Sequence, residues 1–170
     1  MTEIAPKNIS TGLLKQYDAV ILGIRAYNTV PELKVKQTSI LDYVKKGGNV
    51  IVQYNTSRGV LVKDNLAPYM LELSRDRITD ENAKVSFLNK EHEMMNYPNK
   101  ITEKDFDGWV QERGLYFPNK WAKEFSPILS FQENGDAPME GSLLVAKYGE
   151  GYYMYTGLSF FRELPAGVPG

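Results

Sequence analysis

Two short clusters of the chain carry side chains suited to holding a polar molecule: Arg25, Tyr27 and Asn28, and further on Gln53, Tyr54 and Asn55. An arginine, two tyrosines and several amides supply donors and acceptors that match a carboxylate, a sugar or a phosphate. The same groups also satisfy loop backbone and brace neighbouring loops, so both roles are open. His92, in Glu91-His92-Glu93, is the one imidazole of the chain and hence its one ordinary proton shuttle near neutral pH. It reads first as a loop-bracing residue, and otherwise as a sixth rim ligand or an acid/base. A convincing metal site needs two or three imidazoles at helical spacing, so no metal is expected. Ser57, in Asn55-Thr56-Ser57-Arg58-Gly59, is the best-placed hydroxyl nucleophile. A Ser57–His92 pair oriented by Glu91 or Glu93 would be a hydrolase arrangement, although the Gly-x-Ser-x-Gly elbow is absent.

Trp109, Tyr116, Phe117 and Trp121 lie among Gln111, Glu112, Arg113 and Asn119. That mixture suits sugar stacking, a protein interface, or packing of a long excursion onto a sheet. Gly47-Gly48 precedes a strand, whereas a phosphate loop needs strand, glycines and then helix. No nucleotide site and no cofactor are expected.

Composition removes other classes. The 170 residues include 20 Lys+Arg against 21 Asp+Glu, for a net charge of −1, and no cysteine. A thiolate nucleophile, a thiolate metal site and a disulfide framework are therefore excluded. A nucleic-acid partner would call for a surplus of basic residues. No apolar run reaches the roughly 20 residues of a membrane span, and the first residues lack the regions of a signal peptide. A cysteine-free chain is compatible with any compartment, including that of an extracytoplasmic parent protein.

The elements that must position these residues follow from hydrophobic pattern. Tyr17 to Ile24 reads as a strand buried on both faces. Pro31 and Glu32 open a helix carrying Leu33, Ile40, Leu41 and Val44 at helical spacing, ended by Gly47-Gly48. Asn49 to Tyr54 is a second buried strand, which completes a βαβ unit with parallel strands. Ligands in open α/β sheets sit outside the carboxyl ends of strands, so both polar clusters should line one rim. Leu66 to Ser74 reads as a short helix, Val85 to Leu88 as a short strand, and Thr102 to Trp109 as a capped single turn. Pro127 to Gln132 is a strand and Asn134-Gly135-Asp136 a turn. Ser142 to Tyr148 and Tyr152 to Leu158 form an antiparallel hairpin through Gly149-Glu150-Gly151. Leu164 to Gly170 reads as loop.

With these elements placed, Tyr17-Asp18-Ala19-Val20-Ile21-Leu22-Gly23-Ile24-Arg25-Ala26-Tyr27-Asn28 and Tyr43-Val44-Lys45-Lys46-Gly47-Gly48-Asn49-Val50-Ile51-Val52-Gln53-Tyr54-Asn55 resemble the class I glutamine amidotransferase-like superfamily. Within it the chain is most similar to the trehalose-utilisation (ThuA-like) branch and to the domain at the C-terminal end of PIG-L/LmbE-type deacetylase proteins. The stretch from Asn99 through Phe106, Trp109, Gln111, Glu112, Arg113 and Tyr116 to Phe117-Pro118 resembles that appended domain too, as does Lys147 to Leu158.

The resemblance implies an α/β, flavodoxin-like three-layer sandwich with a mainly parallel sheet and a C-terminal antiparallel hairpin. Residues 1–170 would be one such domain, lacking the first strand-helix unit and the final helix. An exposed sheet edge or face would then be covered by a partner, such as a second copy in a homodimer. Glutaminases of this superfamily use a cysteine that this chain does not have, so the resemblance implies a non-catalytic ligand-binding or scaffolding domain. Its rim of Arg25, Tyr27, Asn28, Gln53, Asn55 and His92 would take a polar, carbohydrate-like ligand. The alternative is a ThuA-like carbohydrate-modifying enzyme or small hydrolase with His92 as acid/base.

Overall fold

The computed structural model describes residues 1–133 and 135–168. A 3-10 turn at Pro6–Asn8 and a one-turn helix α1 (Thr11–Leu14) lead into strand β1 (Ala19–Leu22). The one-turn helix α2 (Ala26–Thr29), helix α3 (Leu33–Lys45) and strand β2 (Asn49–Val52) follow. Then come β3 (Leu71–Ile78), β4 (Lys84–Phe87), β5 (Gly114–Trp121), β6 (Phe125–Gln132), β7 (Met139–Tyr148), β8 (Gly151–Thr156) and helix α4 (Phe160–Ala166).

Helix α3 forms where Leu33, Ile40, Tyr43 and Val44 fall on one buried stripe. Gln37 shares that stripe and is buried with it. The helix stops because Gly47 takes φ +100°, a conformation that costs little only without a Cβ. As expected of strand, helix and strand in sequence, β1 and β2 are parallel, with Ala19 opposite Asn49 and Leu22 opposite Val52. The expected hairpin is also present: β7 and β8 pair antiparallel, Tyr148 opposite Gly151.

The main sheet has six strands in the order β1-β2-β8-β7-β6-β4, and β3 pairs with β5 in a second, two-stranded sheet. Two pairings of the main sheet are parallel and three antiparallel, so the sheet is mixed rather than mainly parallel. The reason is connection length. Strands β6, β7 and β8 follow one another through short loops, which only antiparallel neighbours can use.

Four further expectations are corrected. Strand β1 is buried on one face only: Leu22 is enclosed, while Ile21 is 49% exposed, because β1 is an edge strand and no helix among the described residues covers its other face. Residues 71–78 form a strand, not part of a helix, since Leu71 and Leu73 pack inward around an exposed Glu72 and β5 lies alongside to pair. The excursion before Phe125 contains β5, hidden in the sequence by Pro118. Residues 160–166 are helical although Pro165 lies within them; contacts of Phe160 with Trp109 and of Phe161 with Tyr54 outweigh propensity. The Thr102 turn is as expected, with Thr102 and Asp105 forming a reciprocal capping box. Asn134, Pro169 and Gly170 lie outside the described residues, so the expected turn at Asn134 and the end of the expected C-terminal loop are not described.

Two cores flank the main sheet. On one face, Leu33, Ile40, Tyr43 and Val44 of α3 pack on Val50, Val52, Leu144, Tyr153 and Tyr155. On the other, Phe106, Trp109, Phe117, Ile128 and Phe131 gather around β6 and β7. Arg113 is enclosed there, 5.4–5.9 Å from the ring centres of Phe106, Trp109 and Phe131. This burial pushes its pKa down from the usual arginine value, against the pull of nearby carboxylates led by Asp80. Towards β1 the second face is open: Ile51 and Met154 are only half-buried beside Ile21.

The close approach of the β7–β8 turn to the end of α3 is testable. A Cβ on Gly151 would lie 2.1 Å from the Gly48 carbonyl oxygen and 2.3 Å from that of Val44. Because backbone is the obstacle, Gly151→Ala should lower unfolding stability by about 2–3 kcal/mol in urea titration. Gly12→Ala, with open space around the site, should show no loss.

Candidate functional site

The turn after β1 and the loop after β2 meet at the carboxyl end of the parallel strands. Arg25 holds φ +55°, and its N–H donates to Tyr54 O at 2.7 Å. Asn28 bridges the two loops: its Oδ1 accepts from Thr56 N at 2.9 Å, and its Nδ2 donates to Thr56 O and Arg58 O at 3.2 and 3.1 Å. Asn55 Oδ1 accepts from Tyr27 N at 2.9 Å, Asn55 Nδ2 donates to Gln53 O at 2.9 Å, and Asn55 N donates to the Tyr155 hydroxyl at 3.0 Å. The Tyr27 hydroxyl donates to Gln37 Oε1 at 2.6 Å.

The sequence reading therefore brings the right loops together but assigns some of their side chains the wrong duty. Tyr27 and Asn55 are 0% exposed and present nothing to a ligand; both are core braces. The Asn28 amide is engaged at every polar atom by the neighbouring loop. Arg25 is exposed and Gln53 half-buried, and neither side chain enters a hydrogen bond or ion pair among the described residues.

Beside these two residues stands an aromatic group. The Tyr54 ring stacks on Tyr116 with centroids 6.1 Å apart and planes 9° from parallel, and packs on Phe161 at 5.2 Å. Tyr116 reaches this place through a β-bulge. Asp76 pairs with Phe117 and Arg77 with Leu115, which leaves Tyr116 as the extra residue, at φ +54°; bulges re-aim side chains in this way. Arg162 lies 4.9 Å from the Phe161 centroid and donates through Nε to Glu112 Oε1 at 3.0 Å. Glu112, only 3% exposed, also pairs with Arg77, so two guanidiniums share one enclosed carboxylate. Tyr54, Phe161 and Arg162 carry no sequence signal as a group, since Tyr54 follows β2 while the other two lie on α4, which Pro165 masks.

The structure does not bring His92 to this rim. His92 follows β4, at the opposite edge of the six-stranded sheet from β1, five interstrand spacings or about 24 Å away across the sheet. Its Nδ1 accepts from Met94 N at 3.2 Å and caps a 3-10 turn at Glu93–Met95, which is the loop-bracing role. Ser57 lies after β2 in a groove with Val60, Lys63, Leu66 and Leu73, not with His92, Glu91 or Glu93. Of the four aromatics grouped in the sequence, Trp109 and Phe117 are core, Trp121 packs against the α3-side core, and Tyr116 alone joins the rim.

No protein-family profile matches the sequence, and no curated protein sequence does. Solved structures share the fold. The cytoplasmic protein STM3548 from Salmonella typhimurium superposes with a TM-score of 0.54 at 15% identity, over 87% of this chain and 63% of that one. Gan42B, a GH42 beta-galactosidase, superposes with a TM-score of 0.52 at 14% identity, over 91% of this chain and 21% of that one. A ThuA-like protein from Bacteroides uniformis ATCC 8492 aligns at 14% identity over 92% of this chain and 65% of that one, but with a TM-score of 0.45, too loose to carry an argument. The chain spans less than two thirds of the STM3548 chain, and at these identities the likeness bears on fold alone. Among the described residues no helix is long and apolar enough to cross a membrane.

The phenols beneath the rim set a pH dependence. Burial raises Tyr27, Tyr153 and Tyr155 above the ordinary tyrosine value of 10.0. A group that holds its proton more tightly when folded contributes stability in full below its unfolded pKa and loses it as pH rises beyond. The urea midpoint should therefore stay level up to about pH 9 and fall above about pH 10, and Tyr153→Phe should flatten that fall. Asn55→Ala, which strips the acceptor from the buried Tyr27 N–H, should cost about 2 kcal/mol at neutral pH.

Proposed function

We propose that this chain is a non-catalytic ligand-binding or scaffolding module whose rim takes a polar, carbohydrate-like ligand. The observation that supports this reading is the pairing of unengaged polar side chains, Arg25 and Gln53, with the half-buried Tyr116 and Phe161 rings, which pack on a buried Tyr54 at the carboxyl end of parallel strands. Aromatic faces accept the apolar face of a sugar ring, while guanidinium and amide groups take its hydroxyls. Held loops around an open polar pair make a preorganised site, which lowers the ordering cost of binding. The one imidazole of the chain stands at the other edge of the sheet and supplies no base to the rim.

In this reading the fold is the flavodoxin-like, glutamine amidotransferase-like sandwich of the ThuA-like branch, and the module belongs to a larger protein of the PIG-L/LmbE deacetylase type.

Saturation-transfer NMR with a panel of neutral saccharides, uronic acids and sugar phosphates tests the reading. Transfer to at least one saccharide is expected, with affinity reduced about tenfold, near 1.4 kcal/mol, by Arg25→Ala and by Tyr116→Ala, and unchanged by His92→Ala. Absence of any transfer, or turnover of a panel member that His92→Ala abolishes, overturns it.

A further inference from the structure

Strand β1 ends the main sheet, and nothing in it guards that edge. Its residues are Ala19, Val20, Ile21 and Leu22: no charge, no proline and no bulge, the devices by which sheets normally block pairing. In a parallel pair the backbone groups of alternate residues point to alternate sides. Gln53 N donates to Leu22 O at 3.1 Å, so Val20 and Leu22 direct their backbone to β2, and Ala19 and Ile21 direct theirs outward. None of those outward N–H and C=O groups has a partner among the described residues. Alongside lies a cleft of about 570 Å³ lined by residues 1–4, Ile9, Leu14, Ile40 and all four residues of β1.

We propose that β1 pairs antiparallel with β1 of a second copy across a two-fold axis, so that two six-stranded sheets become one continuous sheet. A two-fold contact uses the same patch on both partners and must be self-complementary, and β1 meets that condition in three ways. Its outward residues recur at odd positions, so a pairing centred on Ile21 sets outward backbone against outward backbone, each Ile21 N–H on the other copy's Ile21 carbonyl. That register also keeps the α3 layers of both copies on one face, which brings the half-buried Val20 of the second copy against the open cleft. Charge fixes the direction: Asp18 precedes the strand and Arg25 follows it, so antiparallel pairing places opposite charges near each end. Parallel pairing would set like against like. The edge excludes Gln53, Tyr54 and Tyr116 and shares only Arg25 with the rim, so variants at Ile21 test this inference apart from ligand binding.

Sedimentation equilibrium of the 170-residue chain tests it, supported by cross-linking. Concentration-dependent dimers are expected, weakened at least tenfold by Ile21→Lys, which sets two like charges together on the axis, and retained by Ile21→Val. The chain has no cysteine, so Ile21→Cys gives a single thiol. Paired residues on the axis lie about 5.5 Å apart at Cα, within disulfide reach. Oxidation should therefore yield covalent dimers of Ile21→Cys and not of Ser126→Cys, placed on β6 far from this edge. A monomer at every concentration, dimers indifferent to Ile21→Lys with circular dichroism unchanged, or absence of an Ile21→Cys cross-link overturns the proposal.

Discussion

Gln37 lies fully buried on the core stripe of α3, and each of its polar partners comes from another part of the chain. Its Oε1 accepts from the Tyr27 hydroxyl, and its Nε2 donates to Asn65 O and Leu66 O at 2.7 and 3.0 Å. The Leu66 carbonyl also accepts from the Tyr153 hydroxyl at 2.5 Å. A buried amide left unpaired costs far more than a paired one contributes. Helix α3, the turn after β1, the segment at 65–66 and strand β8 therefore have one mutual arrangement in which this amide is satisfied. Through Tyr27 and Asn55 the constraint reaches Tyr155, so the floor of the rim is fixed from below by the same network.

This explains why the rim is chemically sparse. Most polar side chains placed there by the βαβ unit hold loop to loop or loop to strand, and the groups left over come from less regular sources. Tyr116 arrives on a bulge, Phe161 and Arg162 on a short helix that contains a proline, and Arg25 is itself left-handed. Strained backbone of this kind persists only where surrounding contacts over-determine it. Here the Tyr54 ring and carbonyl supply those contacts on both sides.

The regular parts of the fold were legible in the sequence, because a long amphipathic helix stopped by Gly47 and strands of β-branched residues leave periodic signals. The βαβ unit, the β7–β8 hairpin and the Thr102 cap are all of this kind. Gln37 was not legible as a core residue, since its polarity conceals that three partners await it. Strand β3 and helix α4 were missed for a related reason: Pro68 and Pro165 mark breaks in propensity, while pairing with β5 and the contacts of Phe160 and Phe161 decide the outcome. The rim was readable as a location, through the rule that polar residues after parallel strands converge, but not as a division of labour. Exposed Arg25 and sealed Tyr27 are two positions apart, and only the packing of α3 beneath them separates their roles.

The end of α3 is finished by residues far along the chain. Glu150 N donates to the Lys45 carbonyl at 3.1 Å and Tyr152 N to that of Gly48 at 3.2 Å, while β8 supplies the second neighbour of β2. During synthesis the N-terminal half therefore emerges with an unfinished helix terminus and a strand, β2, paired on one side only, and it must wait for the last hairpin before either is satisfied. The molecule consequently has no natural cut between β2 and β3: a fragment ending there would hold a complete strand–helix–strand motif and still lack the contacts that make it stable.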